Sequence, residues 1–170
     1  MGAMAFHPTA TRIWKHLPPE DRLAAATAFF AEPPPELAAT AIGALVKARH
    51  LRPQAARALA PDAQARILAT VLDPGEPLAQ GLLVSLHLGE RRPLLRAFLD
   101  ALSLAHEDGV LKEEGDAAAP VSPAQARAGV AALASFPAGQ VRTYLNTLWL
   151  QDHERWRALE AAAEETTTSA

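Results

Sequence analysis

The chain has 170 residues, the length of one ordinary domain. Apolar residues make up 49% and charged residues 21% of it, a balance that excludes an intrinsically disordered chain. The net charge of −3 disfavours a general nucleic-acid binder, because such proteins carry a surplus of basic residues. The chain has no cysteine, which excludes disulfides, thiolate nucleophiles and thiolate metal sites.

The sequence also bears on location. No segment has the pattern of a secretory signal, and Pro, Arg or Asp interrupts each apolar stretch before the roughly 20 residues that a membrane helix needs. We therefore expect a cytoplasmic protein with no membrane partner. Abundant Ala, Pro and Arg fit a bacterial, GC-rich coding sequence. Residues 1–5 are expected to be an expression remnant and N-terminal tail.

Helix-forming residues dominate the composition. Ala is the commonest residue and Leu follows, whereas β-branched and aromatic residues, which favour strands, are scarce. Most of the 14 prolines stand where a helix can begin, since the first helical turn does not need their missing N–H. These starts, with apolar residues spaced by three and four, predict an all-α chain. The predicted helices cover about 9–17, 18–31, 35–51, 53–59, 61–72, 78–88, 93–102, 123–135, 137–149 and 152–165.

The predicted helices form a repeating series. A Leu followed by a proline-containing helix start occurs at Leu17 and again at Leu59, 42 positions later. Arg52-Pro53 and Arg92-Pro93 begin helices 40 positions apart, and a partial third copy follows from Ser122. A period near 40 residues is the spacing of HEAT and armadillo solenoids, although the chain has none of their residue signatures. The predicted fold class is therefore all-α, with stacked helical hairpins as a short solenoid or compact multi-helix bundle.

The repeats also predict the domain organisation. We expect a single helical-repeat domain over 6–165 and a disordered tail at 166–170. An acidic segment at about 106–121 displaces the third unit and is predicted to be a loop insertion.

This acidic insertion begins with candidate binding residues, because loops on a rigid scaffold often carry function. The candidates are His106, Glu107 and Asp108. Three consecutive residues of a helix point in different directions, so they could converge on a metal ion only in an irregular loop. We predict no metal site. The alternative interpretation is a solvated surface loop, which a domain tolerates because added loop length costs little entropy.

Six arginines recur at equivalent positions of the repeat. They are Arg49, Arg52, Arg57, Arg91, Arg92 and Arg96. Equivalent positions of stacked repeats lie side by side, so these guanidinium groups are candidates for one strip that binds carboxylates or phosphates. The alternative is that most of them lie at the end of a helix and only balance its dipole.

The sequence contains no recognisable catalytic motif. It has no Gly-x-Ser-x-Gly elbow, no glycine-rich phosphate loop, no His-Glu-x-x-His and no zinc-ligand series. His87 and Glu90 have an i,i+3 spacing, but a di-metal bundle needs a second such pair. His87 is therefore predicted to be a core histidine with a local hydrogen bond. We predict a protein that is not an enzyme and uses no cofactor.

These observations predict a non-catalytic protein-interaction or scaffold module, whose acidic loop and arginine strip recognise a protein partner by charge. The alternative is binding of nucleic acid or another polyanion by the arginine strip, against which the net negative charge counts.

Overall fold

The computed structural model describes residues 8–112 and 119–168. Over these ranges the chain is α-helical apart from one short hairpin, which confirms the predicted all-α class. The elements are α1 Ala10–His16, α2 Pro19–Ala31, α3 Pro35–Arg49, α4 Pro53–Ala58, α5 Pro61–Thr70, α6 Glu76–Gly89, α7 Arg92–Ala101, β1 His106–Glu107, β2 Val110–Leu111, α8 Pro123–Ala132, α9 Ala138–Gln151 and α10 Ala158–Thr168. Within the described ranges, no helix is long and apolar enough to cross a membrane.

Proline begins many of these helices, as the sequence predicts. Five helices have proline as their first residue, where the ring fixes a helical φ and no N–H is needed. The predicted helix ends agree less well with the structure than the predicted starts do. α3 ends at Arg49 because His50 takes a left-handed conformation with φ of 52°. α5 ends at Thr70 because Val71 is extended.

One predicted helix start needs correction, and several predicted segments lie wholly or partly outside the described residues. α10 begins at Ala158 and not near 152, because Asp152 caps the Arg155 amide in a preceding turn. It continues to Thr168, within the predicted tail segment 166–170, and the Thr166 and Thr168 hydroxyls donate to carbonyls four residues earlier. The predicted remnant at 1–5, part of the acidic loop (113–118) and the end of the tail (169–170) are outside the described ranges.

Contacts divide the described chain into two compact units, Thr9–Glu90 and the residues from Arg91 onward. In the first unit, α2 packs against α5 and α6, α1 packs against α6, and α3 contacts α4, α5 and α6. Its core includes fully buried Trp14, Phe29, Leu45 and Leu68, together with four leucines of α6, Leu78, Leu82, Leu83 and Leu86. The repeat spacing and the single domain over 6–165 are not confirmed and stay predictions.

The second unit packs α8 against α7 and α10. Phe98 of α7 lies at its centre, with edge-to-face contact to Tyr144 at 5.3 Å between ring centroids and a tilted contact to Trp156 at 5.8 Å. Such aromatic pairs add stabilisation beyond the area that they bury. Burial raises the pKa of the Tyr144 hydroxyl well above its usual value, so this side chain stays neutral.

Glycine allows close helix packing in both units. A Cβ at Gly81 would overlap the tip of Leu37, a flexible side chain. A Cβ at Gly129 would overlap Leu102 and come within 2.7 Å of the buried Phe98 ring. Gly43, inside α3, has no atom of the described residues within 4 Å of its Cβ position apart from its chain neighbours and its own helix backbone, so no packing contact explains it. Packing therefore requires glycine at Gly129, whereas it does not require glycine at Gly43.

Substitutions of Gly129 and Gly43 are therefore predicted to have opposite effects on stability. Gly129→Ala will lower the free energy of unfolding by about 1–3 kcal/mol, because a buried aromatic ring has to move. Gly43→Ala will raise it by about 0.5–1 kcal/mol, because alanine loses less entropy in a helix and meets open space. Urea denaturation measures both differences. Changes of the same sign in the two variants would contradict this account of the packing.

A single carboxylate joins the first and sixth helices. Glu76, the first residue of α6, accepts from the amides of Ala10 (2.6 Å) and Thr11 (3.1 Å) and from the Thr11 hydroxyl (2.8 Å). It therefore lies at the N-termini of two helices, where negative charge is favourable. Burial would raise the pKa of Glu76, but these hydrogen bonds outweigh that effect and hold the pKa below its usual value of 4.5.

This pKa shift predicts a pH-dependent contribution of Glu76. Because its pKa is lower in the folded state, the carboxylate stabilises the fold above about pH 4.5, and this stabilisation is lost as the pH falls through the folded-state value. Glu76→Gln should lower the free energy of unfolding at neutral pH by no more than the roughly 1 kcal/mol of a lost helix cap. Urea denaturation of both proteins should show that the difference between their free energies of unfolding shrinks as the pH falls into the acid range. A difference that does not depend on pH would contradict this prediction.

Candidate functional site

The predicted acidic loop begins with a tight β-hairpin. β1 and β2 pair antiparallel, with His106 opposite Leu111 and Glu107 opposite Val110. The two turn residues, Asp108 and Gly109, have φ of 48° and 87°, the left-handed values that a two-residue hairpin turn requires. The sequence predicts a loop insertion at about 106–121, and this segment begins with the hairpin. An Asp-Gly pair is itself a hairpin signal, which a search for long alternating strands overlooks.

Two of the predicted arginines bind the hairpin turn. Arg92 and Arg96 lie four residues apart on one face of α7. The Asp108 carboxylate is 2.9 Å from Nη1 of Arg96 and 3.3 Å from Nη1 of Arg92, which also donates to the Asp108 carbonyl at 2.8 Å. These arginines therefore already have an anion within the chain.

The other two hairpin candidates have separate partners. Because an amide can only donate, the Gly109 N–H makes Nδ1 of His106 an acceptor at 3.2 Å. Nε2 then donates to Asp100 at 2.8 Å, an acid that the sequence analysis did not select. Glu107 is 3.9 Å from Lys112. The three consecutive candidates do not converge, and within the described ranges no group of three or more His, Cys, Asp or Glu side chains is placed to hold a metal ion.

The six arginines have three different environments. Arg49, in the last turn of α3, suits the helix-dipole interpretation, and so does Arg57 in the last turn of α4. Arg52 precedes α4 as its N-cap and has no such role. These three are exposed, and no ion pair joins them to an acid in the described parts of the chain. Arg91, by contrast, is buried at the start of α7.

A groove of about 740 Å³ lies beside Arg49 in the first unit. One wall is α3 and the other is the connection from α5 to α6. Its lining residues are Thr40, Gly43, Ala44, Lys47, Ala48, Arg49, Thr70, Val71, Asp73, Pro74 and Gly75. The second wall is fixed, because Trp14 donates from its indole to the Val71 carbonyl at 2.7 Å and Arg22 donates to that of Ala69 at 3.0 Å.

The groove was missed by the sequence analysis, although α3 carries a signal for it. From 37 to 46 this helix has no charged residue, whereas a surface helix normally places charges on its outer face. Only Ala41 and Leu45 of α3 are buried. The outward face of α3 is therefore small and uncharged, and Lys47 and Arg49 follow it.

The remaining histidine candidate is structural. His87 is buried in α6, and its Nδ1 donates to the Leu83 carbonyl at 2.7 Å. This is the predicted local hydrogen bond.

In comparisons with known proteins, no family model, curated protein or solved structure matches this chain. The functional conclusion therefore depends on the residues and geometry of the chain itself.

The hairpin geometry predicts unequal effects at its two turn residues. Asp108→Asn tolerates the left-handed conformation but loses the charge, and should cost about 0.5–1 kcal/mol because the ion pairs are half-exposed. Gly109→Ala should cost more, about 1–3 kcal/mol, since its Cβ would come within 2.9 Å of Leu95 at a positive φ. Thermal unfolding with amide exchange measures both. A larger effect of Asp108→Asn would mean that charge, and not backbone conformation, fixes the turn.

Proposed function

We propose that the protein is a non-catalytic interaction module that binds an acidic surface of another protein. The binding residues are four cations of the first unit, Lys47, Arg49, Arg52 and Arg57, which we call the basic cluster. One observation carries the proposal: all four are exposed and none is paired with an acid in the described ranges. Arg92 and Arg96, in contrast, are already paired with Asp108.

The charge of the chain supports a protein partner. A net charge of −3 repels polyanions at long range, whereas a local group of cations can still orient an acidic patch at short range. Complementary charge of this kind increases association rate and selectivity more than affinity. Because screening weakens such contacts, the complex should weaken as salt rises.

The surroundings of the basic cluster also favour a protein. Two of its members, Lys47 and Arg49, line the groove, whose other lining residues are mostly small and partly apolar. Leu72, between two lining residues, is 45% exposed. Protein interfaces combine an apolar centre with a polar rim, whereas duplex nucleic acid is contacted mainly through phosphates. Nucleic acid or another polyanion remains the alternative, and the experiment below separates the two.

Charge reversal tests the proposal. We expect Arg49→Glu/Arg52→Glu to lower the recovery of a cross-linked protein partner, from nuclease-treated cells of the source organism, by about tenfold or more. The matched control is Arg142→Glu/Arg157→Glu, which makes the same charge change at two exposed arginines of the second unit. Quantitative mass spectrometry of the captured proteins measures the recovery.

Two outcomes would contradict the proposal. Equal loss with both double variants would show that net charge, and not the basic cluster, governs capture. If nuclease treatment removes the bound material, and binding falls with salt in proportion to several phosphate contacts, the alternative of polyanion binding is correct.

A further inference from the structure

The outward face of α3 has an unusual composition for an exposed helix face. After Glu36 and before Lys47 its exposed residues are small and uncharged, with Thr40 and Gly43 at the groove. A solvated helix gains nothing from glycine, which costs about 1 kcal/mol relative to alanine in a helix interior. Apart from its chain neighbours and the backbone of its own helix, no atom in the described part of the chain lies within 4 Å of the Gly43 Cβ position. The space above Gly43 is thus open, and nothing within the fold requires it.

The dimensions of this surface fit a helix. The lining residues of α3 run from Thr40 to Arg49, and those up to Ala48 recur at the three- and four-residue spacing of one helix face. They span about 13 Å at a rise of about 1.5 Å per residue, or some two and a half turns. Small residues let two helix axes approach to about 8 Å, and Gly43, Ala44 and Ala48 provide them.

The charges around the groove determine which kind of helix can bind there. Lys47 and Arg49 lie at one end of the groove, and Arg52 follows at the start of α4. The groove has one acidic lining residue, Asp73, and its carboxylate already accepts from the Gly75 amide at 3.2 Å. The cations therefore outnumber the carboxylates, and the occupant needs acidic residues on its solvent-facing sides next to that end.

We propose that the groove between α3 and the α5–α6 connection binds an acidic amphipathic helix of the partner protein. The inference rests on the proposed function, because it assigns the partner's binding element to the basic cluster. The partner's small or leucine side chains pack on Gly43 and Ala44, while its carboxylates pair with Lys47 and Arg49. This is the helix-in-groove mode of peptide recognition.

Other occupants fit less well. An extended peptide binds by adding a strand to a sheet edge, but residues 9–90 of the first unit contain only helices and their connections. A second copy of the chain would bring like charges together at the basic cluster if the same surface met itself, as a two-fold dimer requires. A partner helix of opposite charge has neither disadvantage.

Designed peptides provide the probe, used with the full chain. The first is a stapled helix of about 15 residues, with Leu and Ala at i, i+3, i+4 and i+7 and Glu elsewhere. The second replaces Glu by Lys, and the third rearranges the first so that its apolar face is broken. We expect the first to bind with a micromolar Kd by fluorescence anisotropy, and the others at least about tenfold more weakly.

Variants of the protein locate the binding. Gly43→Leu fills the groove and should weaken the first peptide about tenfold or more, while raising thermal stability because leucine is the better helix former. Gly139→Leu is the matched control, since Gly139 is also an exposed helix glycine with no atom within 4 Å of its Cβ position. It should leave the Kd unchanged.

The outcomes separate this inference from the proposed function. If capture of the partner depends on Arg49 and Arg52 but Gly43→Leu changes neither capture nor peptide binding, the groove is not the site and the inference fails alone. Failure of all three peptides to bind, or equal binding of the first and third, also overturns it. Concentration-dependent dimerisation that Gly43→Leu abolishes would assign the groove to a second copy and overturn it as well.

Discussion

The close approach of helices at residues without a Cβ is the constraint on which both units depend. Only 5% of the chain is aromatic, so few large side chains are available to fill the core. Gly129 lets Phe98 and Leu102 lie directly on α8, and Gly81 does the same for Leu37 on α6. Helices rich in alanine can then pack as densely as other protein interiors, because a small residue on one helix leaves room for a bulky side chain of the other.

The same close packing explains why one face of α3 can remain exposed. α3 packs against the rest of its unit through a narrow face, in which only Ala41 and Leu45 are buried. Its remaining small residues are left facing outward, where charged side chains would ordinarily stand. The opposite wall of the groove is fixed independently, because the Val71 carbonyl accepts from Trp14 and Glu76 holds the start of α1. The groove is thus formed between elements that other interactions already position.

Much of the fold was predictable because its determinants are local. Proline as the first residue of a helix marks its start whatever surrounds it, and Pro35, Pro53 and Pro61 do so here. Features that depend on spatial neighbours were not predictable. Asp100 is hydrogen-bonded to His106 and Asp108 to Arg96 only because a two-residue turn folds the chain back on α7. The groove depends on the packing of α3 against α5, for which no single residue is diagnostic.

The arginines show why residue type alone does not identify a binding surface. A guanidinium group is available to a partner only if the fold leaves it exposed and without a carboxylate nearby. Arg96 fails the second condition because of Asp108, and Arg91 fails the first because it is buried. Arg52 meets both, and unlike Arg49 and Arg57 it does not lie in the last turn of a helix. Arg52 is therefore the cation of the basic cluster for which binding is the strongest interpretation.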